Sequence, residues 1–144
     1  MAEALLKHAG RGHFRAWSAG SHPTGSVNSF ALETMRRLHL STEGLRSKAW
    51  DEFAAAGAPQ LDFVFTVCDD AAGEACPVWP GQPVTAHWGV EDPAAFAGSD
   101  EDKRRKFMDV AQILKRRIDL FTAIPLEKLD AMALSRRVKE IGKS

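Results

Sequence analysis

Two cysteines are all that this 144-residue chain contains, too few for the disulfide scaffold of a small secreted domain. Cys68 and Cys76 form no Cys-x-x-Cys pair, and His8, His13, His22, His39 and His87 are scattered without i,i+4 spacing, so no metal site is expected. Charge of one sign is also missing, because nineteen Lys and Arg balance nineteen Asp and Glu. Such a chain has no net field for condensing on nucleic acid or on an anionic membrane surface. No apolar run approaches the roughly 20 residues of a membrane-spanning helix. The start, Met1-Ala-Glu-Ala, lacks the basic flank and cleavage site of an export signal. These absences predict a cytoplasmic protein with reduced thiols and neither a nucleic-acid nor a membrane partner. What is present, 44% apolar residues with 8% aromatic, closes one modest core, so residues 1–144 are expected to form a single domain without internal repeats.

Met1 to His8 reads as a short helix with Ala2, Leu5 and Leu6 on one side, stopped by Gly10 and Gly12. Phe14 to Ser18 alternates as a strand should and runs into a loop over Ser21 to Ser29. Leu32, Met35, Leu38 and Leu40 predict an amphipathic helix over Phe30 to Leu40 with Ser29 as its N-cap. Ser47 to Phe53 is a candidate short helix. Leu61 to Val67 is β-branched, aromatic and almost continuously apolar, which suits a strand covered on both faces, with Cys68 at its carboxyl end. Pro83 to Trp88 is a shorter strand candidate. Ser99 and Asp102 cap a long helix bearing Phe107, Val110, Ala111, Leu114, Ile118 and Phe121 and ended by Pro125, and Leu126 to Ile141 comes next as a last helix. The basic runs Lys103 to Lys106 and Lys115 to Arg117 read as a solvated helix face. Helices alternating with strands predict a parallel α/β sheet between helices.

Sites in such folds assemble on loops at the carboxyl ends of strands. Cys68-Asp-Asp-Ala-Ala-Gly-Glu-Ala-Cys76 is one such loop. Two readings fit it: a semi-buried cysteine with an incidental surface one, or a pair that exchanges disulfides. Asp69, Asp70 and Glu74 disfavour thiolate formation, so neither thiol reads as a pre-activated first nucleophile, and a resolving role fits better. Asp92, ahead of Pro93, sits on a strand-to-helix loop where a carboxyl group can act as a general acid, although an Asp-Pro turn is common for purely local reasons. Trp17-Ser18-Ala19-Gly20 is a small-residue turn after a strand.

In order along the chain, Met1-Ala-Glu-Ala, Trp17-Ser-Ala-Gly20, Val27-Asn28, Arg46-Ser-Lys48, Thr66-Val-Cys-Asp69, Cys76-Pro-Val-Trp-Pro-Gly81, His87-Trp-Gly89 and Glu91-Asp-Pro93 resemble the arsenate reductases built on the low-molecular-weight protein tyrosine phosphatase fold. The resemblance runs over nearly the whole chain. It implies the phosphotyrosine protein phosphatase I-like architecture, a three-layer α/β sandwich with a mostly parallel sheet. It also implies reduction of arsenate to arsenite through a cysteine relay. By position, Cys68 is similar to the thiol that attacks the nucleophilic cysteine and Cys76 to the thiol that then pairs with Cys68. The resulting disulfide would be returned to thiols by thioredoxin or a glutathione/glutaredoxin system, with no bound cofactor. Asp92 resembles the acid that protonates the leaving oxygen, Ser18 the serine that supports the phosphate loop, and Glu3 the glutamate on the helix after that loop. Lys48 aligns where some relatives hold potassium with an Asp, so its ammonium would take that role and no metal is implied.

The family's nucleophile lies in a Cys-x5-Arg loop, and these residues contain none: Glu74 stands at the sixth position after Cys68 and Gln82 after Cys76. On the resemblance the domain is N-terminally truncated, lacking the first, central strand and its loop, and is expected to bind neither arsenate nor aryl phosphate well. The sheet is then expected to close by pairing Phe14 to Ser18 with the Leu61 strand, or to take a strand from a second copy in a homo-oligomer. The alternatives are a phosphatase, which needs no relay thiols, and a non-catalytic module that oligomerises or senses redox state through Cys68 and Cys76.

Overall fold

The run of Phe, Val and Thr after Asp62 becomes β1 (Phe63–Cys68), which pairs in parallel with β2 (Val84–Val90). The computed structural model describes residues 1–21, 23–68 and 79–144. Phe63 sits opposite Val84 and Thr66 opposite His87, but Cys68 is opposite Val90, so β2 carries one extra residue between the last two pairs. Such a bulge takes backbone groups out of the ladder and leaves them to other donors.

Among the described residues four helices pack around this pair. Ala2–Gly10 forms α1, and Arg11 closes it in the left-handed region at φ 48°. A Cβ on Gly10 would lie 2.9 Å from the Phe14 ring, so the bare backbone there is what lets Phe14 fold back onto the helix. Ser29–Arg37 forms α2, and its N-cap is Asn28 rather than the expected Ser29: the Asn28 amide oxygen accepts from the Phe30 and Ala31 amides at 2.8 and 3.3 Å. The helix stops before Leu40 because His39 turns left-handed at φ 58°, and the Leu40 and His39 amides reach back to the Met35 and Arg36 carbonyls. Asp100–Thr122 forms α3, capped by Ser99 as expected, and buries Phe107, Val110, Ala111, Leu114, Ile118 and Phe121. The expected helix over Leu126 to Ile141 is split into a short 3-10 turn (Leu126–Lys128) and α4 (Ala131–Ile141). Asp130 makes the break by taking its extended backbone to the N-cap position and accepting from the Ala133 amide.

Phe121 is the hub of the core. Its ring lies 5.0 to 6.0 Å from those of Phe14, Phe63, Phe65 and Trp88, joining both strands to α3 through tilted and edge contacts. Trp88 is almost wholly buried and donates its indole N–H to the Val138 carbonyl of α4 at 2.8 Å. A Cβ on Gly142 would meet the His87 carbonyl at 2.5 Å, so the end of α4 lies directly on the β2 backbone.

Two further expectations fail. Phe14 to Ser18 joins no ladder, and among the described residues the sheet contains β1 and β2 alone, with one isolated parallel bridge between Gly20 and Ala49. Hydrogen bonds from Ser18 to the Glu3 side chain, rather than strand pairing, hold this segment. Ser47 to Phe53 supplies one 3-10 turn (Trp50–Phe53) and no longer helix. The parallel α/β class stands. No helix among the described residues is long and apolar enough to cross a membrane.

Candidate functional site

The first turn of α1 places Glu3 against the segment after Phe14. Glu3 is 4% exposed, and a carboxylate so placed survives only with donors on its oxygens. One oxygen accepts from the Ser18 amide and the Ser18 hydroxyl, both at 2.8 Å, and lies 3.4 Å from Lys48 Nζ. The other accepts from Lys7 Nζ, one turn along the helix, at 2.8 Å. Lys48 is itself buried and donates to the Arg46 carbonyl at 3.3 Å. The Gly20 amide donates to the Lys48 carbonyl, and the Trp50 amide to the Gly20 carbonyl, which stitches the two loops side by side.

Burial by itself would raise the Glu3 pKa. The hydrogen bonds from Lys7 and Ser18 and the charges of Lys48 and Lys7 outweigh it and hold the carboxyl below its ordinary value. Glu3 is therefore an anion that positions its neighbours, and with its lone pairs engaged it is poorly suited to exchange protons with a substrate.

Asp92 is placed by different means. It comes after β2, is exposed, and accepts the Ala94 amide at 3.0 Å, capping the 3-10 turn Pro93–Ala95. Its side chain is left open to solvent apart from that one bond. Next to it, Glu91 pairs with Lys106 of α3. The parallel register sets Cys68, the last residue of β1, beside Val90, two residues before Asp92. The strand that ends in a cysteine and the strand that leads to a carboxyl thus open at the same, carboxyl end of the sheet.

Of the residues singled out in the sequence, Glu3, Ser18 and Lys48 come together and Asp92 stands on its own loop. Cys76 lies outside the described residues with Asp69, Asp70 and Glu74, and so does the expected pairing of Cys76 with Cys68. Among the described residues no three His, Cys, Asp or Glu side chains form a set that could hold a metal.

Arg117, read in the sequence as part of a solvated face, is buried. Its guanidinium donates to the Trp88 and Gly89 carbonyls at 2.8 and 3.2 Å and to the Ser144 carbonyl at 3.3 Å. It meets β2 where the extra residue interrupts the ladder. The spacing Val110, Leu114, Arg117, Phe121 places it in the apolar stripe of α3, and that is the sequence signal for its burial. Lys7 belongs to no motif of the sequence, although its i,i+4 spacing from Glu3 is a helical pairing distance.

Known proteins bear on this arrangement. A family profile described as low molecular weight phosphotyrosine protein phosphatase matches residues 1–133. A protein named arsenate reductase from Oceanobacillus iheyensis is 33% identical over 121 residues, 84% of each chain. Proteins of the same name from Halalkalibacterium halodurans and Bacillus subtilis are 32% and 31% identical over the same share of each chain.

Proposed function

The chain belongs to the low molecular weight phosphotyrosine protein phosphatase family, and from that premise we propose that it serves the thiol-dependent reduction of arsenate to arsenite. The observation that carries this reading is the register of the two strands. Cys68 ends β1 beside Val90, and Asp92 stands two residues later, so a strand ending in a cysteine and an exposed acid share one end of the sheet. Glu3, Ser18 and Lys48 form a hydrogen-bonded support for the neighbouring loops.

In the proposed reaction a cysteine thiolate attacks arsenate, an As–S bond forms, and Asp92 protonates the oxygen that leaves as water. The Cys68 thiolate then attacks that first sulfur. A disulfide forms, the As–S electron pair stays on arsenic, and As(V) departs as arsenite, As(III). Cys76 attacks Cys68, releasing the first thiol and leaving a Cys68–Cys76 disulfide for thioredoxin or a glutathione/glutaredoxin system to reduce. These 144 residues hold no Cys-x5-Arg, so the opening attack is not expected of them alone, whereas the thiol relay is. A phosphatase would need no second or third thiol, and two cysteines eight positions apart after one strand favour reduction.

The relay half is testable on the chain itself. Mild oxidation with diamide is expected to produce an intramolecular Cys68–Cys76 disulfide, seen by peptide mass spectrometry, and reduced thioredoxin is expected to reopen it. Formation of dimers alone, or a disulfide that thioredoxin leaves intact, would defeat the assignment.

A further inference from the structure

We propose that Lys106 is the positioning residue of the Asp92 loop, a role that rests on the reading of Asp92 as the acid. An acid can protonate a leaving oxygen only from a defined place, and an exposed loop after a strand end does not hold one unaided. Asp92 supplies a local bond, to the Ala94 amide, which shapes the turn but does not fix it to the body of the protein. Lys106 does. Its ammonium pairs with the Glu91 carboxylate and lies 5.7 Å from the centre of the Phe96 ring. Glu91 precedes Asp92 by one residue and Phe96 lies four residues beyond it, so one cation holds both shoulders of the loop.

The environment of Lys106 agrees with this use. Its side chain is 26% exposed, against 68% for its neighbour Arg105. The stem is thus laid against the protein, with the head delivered to a carboxylate and an aromatic face. Lys106 and Arg117 stand about three turns apart on one face of α3. Arg117 fixes the Trp88 and Gly89 carbonyls at the strand end, and Lys106 fixes the loop beyond them. A single rigid helix thus sets the path of the chain from Trp88 to Phe96.

The test uses the chain as it is and needs no turnover. The amides of Ala94, Ala95 and Phe96 are hydrogen-bonded within the turn, so their exchange with deuterated water reports its opening. Lys106→Met keeps the aliphatic stem and removes the charge; exchange at these three amides is expected to rise about fivefold, the size of one exposed ion pair plus one exposed cation–π contact. Lys106→Arg is expected to restore the original rates. Glu91→Gln is expected to act in the same direction, and adding it to Lys106→Met to give little more. Unchanged rates in Lys106→Met, or a rise spread equally through β2 and α3 with a lowered urea midpoint, would overturn the proposal. The thioredoxin experiment judges the reductase reading separately, since neither cysteine takes part in this exchange measurement.

Discussion

Glu3 and Asp92 are both carboxylates that the family resemblance groups in one site, yet Glu3 is 4% exposed with four donors on its two oxygens while Asp92 is exposed and accepts a single backbone amide. The difference separates architecture from chemistry. A buried charge exists only as part of a network that satisfies it, so Glu3 is committed to holding the 18–20 and 46–50 segments against α1. An exposed carboxyl on a capped turn carries little of the fold and leaves its second oxygen open to solvent.

The sharpest way to break the comparison is Glu3→Gln. The amide matches the carboxylate in size but leaves the Lys48 ammonium buried without a counter-charge, and losing one partner of such a pair costs about 3 kcal/mol. A fall of that size in unfolding free energy from urea titration is expected at neutral pH. The same variant changes the acid response. Because the folded state holds the Glu3 carboxyl below its ordinary pKa, its contribution is complete above the unfolded value of about 4.3 and is lost as pH falls through the lower folded value. Stability should therefore fall more steeply below about pH 4.3 in the native chain than in Glu3→Gln. A slope remains in both from Glu52, whose carboxyl is also held down by its hydrogen bonds with Arg46. Equal acid limbs would show that Glu3 does not carry the charge of this network.

Ser18→Ala gives a smaller effect on the same side. It removes the hydroxyl bond to Glu3 and leaves the amide bond in place, and a hydrogen bond to a charged group contributes about 1.5 kcal/mol. A loss near the Glu3→Gln value would mean that the whole segment detaches when the hydroxyl goes.

The same division governs how much of the molecule is legible in its sequence. Ser99 capping α3, the buried stripe of that helix and the Asp92 turn depend on residues within a few positions of one another, and local pattern is enough. The Glu3 network spans separations of 15 and 45 residues. No periodicity encodes contacts at that range, and only the family resemblance groups the three residues. Phe14 to Ser18 misleads because alternation reports which residues face inward and not whether a neighbouring strand is there to pair. Arg117 misleads because its charge run masks its place in the helical stripe.

Asp92→Asn is expected to do least to the fold. Asparagine caps a turn as well as aspartate and keeps the oxygen that the Ala94 amide needs, so the unfolding free energy should stay within about 0.5 kcal/mol of the native value. The substitution removes the ionisable carboxyl and its charge, and with them the acid that would protonate a leaving oxygen. On the proposed function, a chain given a Cys-x5-Arg loop ahead of residue 1 would then lose about a hundredfold or more in arsenate-dependent turnover while unfolding at the native urea concentration. Turnover unchanged by Asn would leave Asp92 as a cap and nothing else, and would erase the contrast with Glu3 on which the division between the two carboxylates stands.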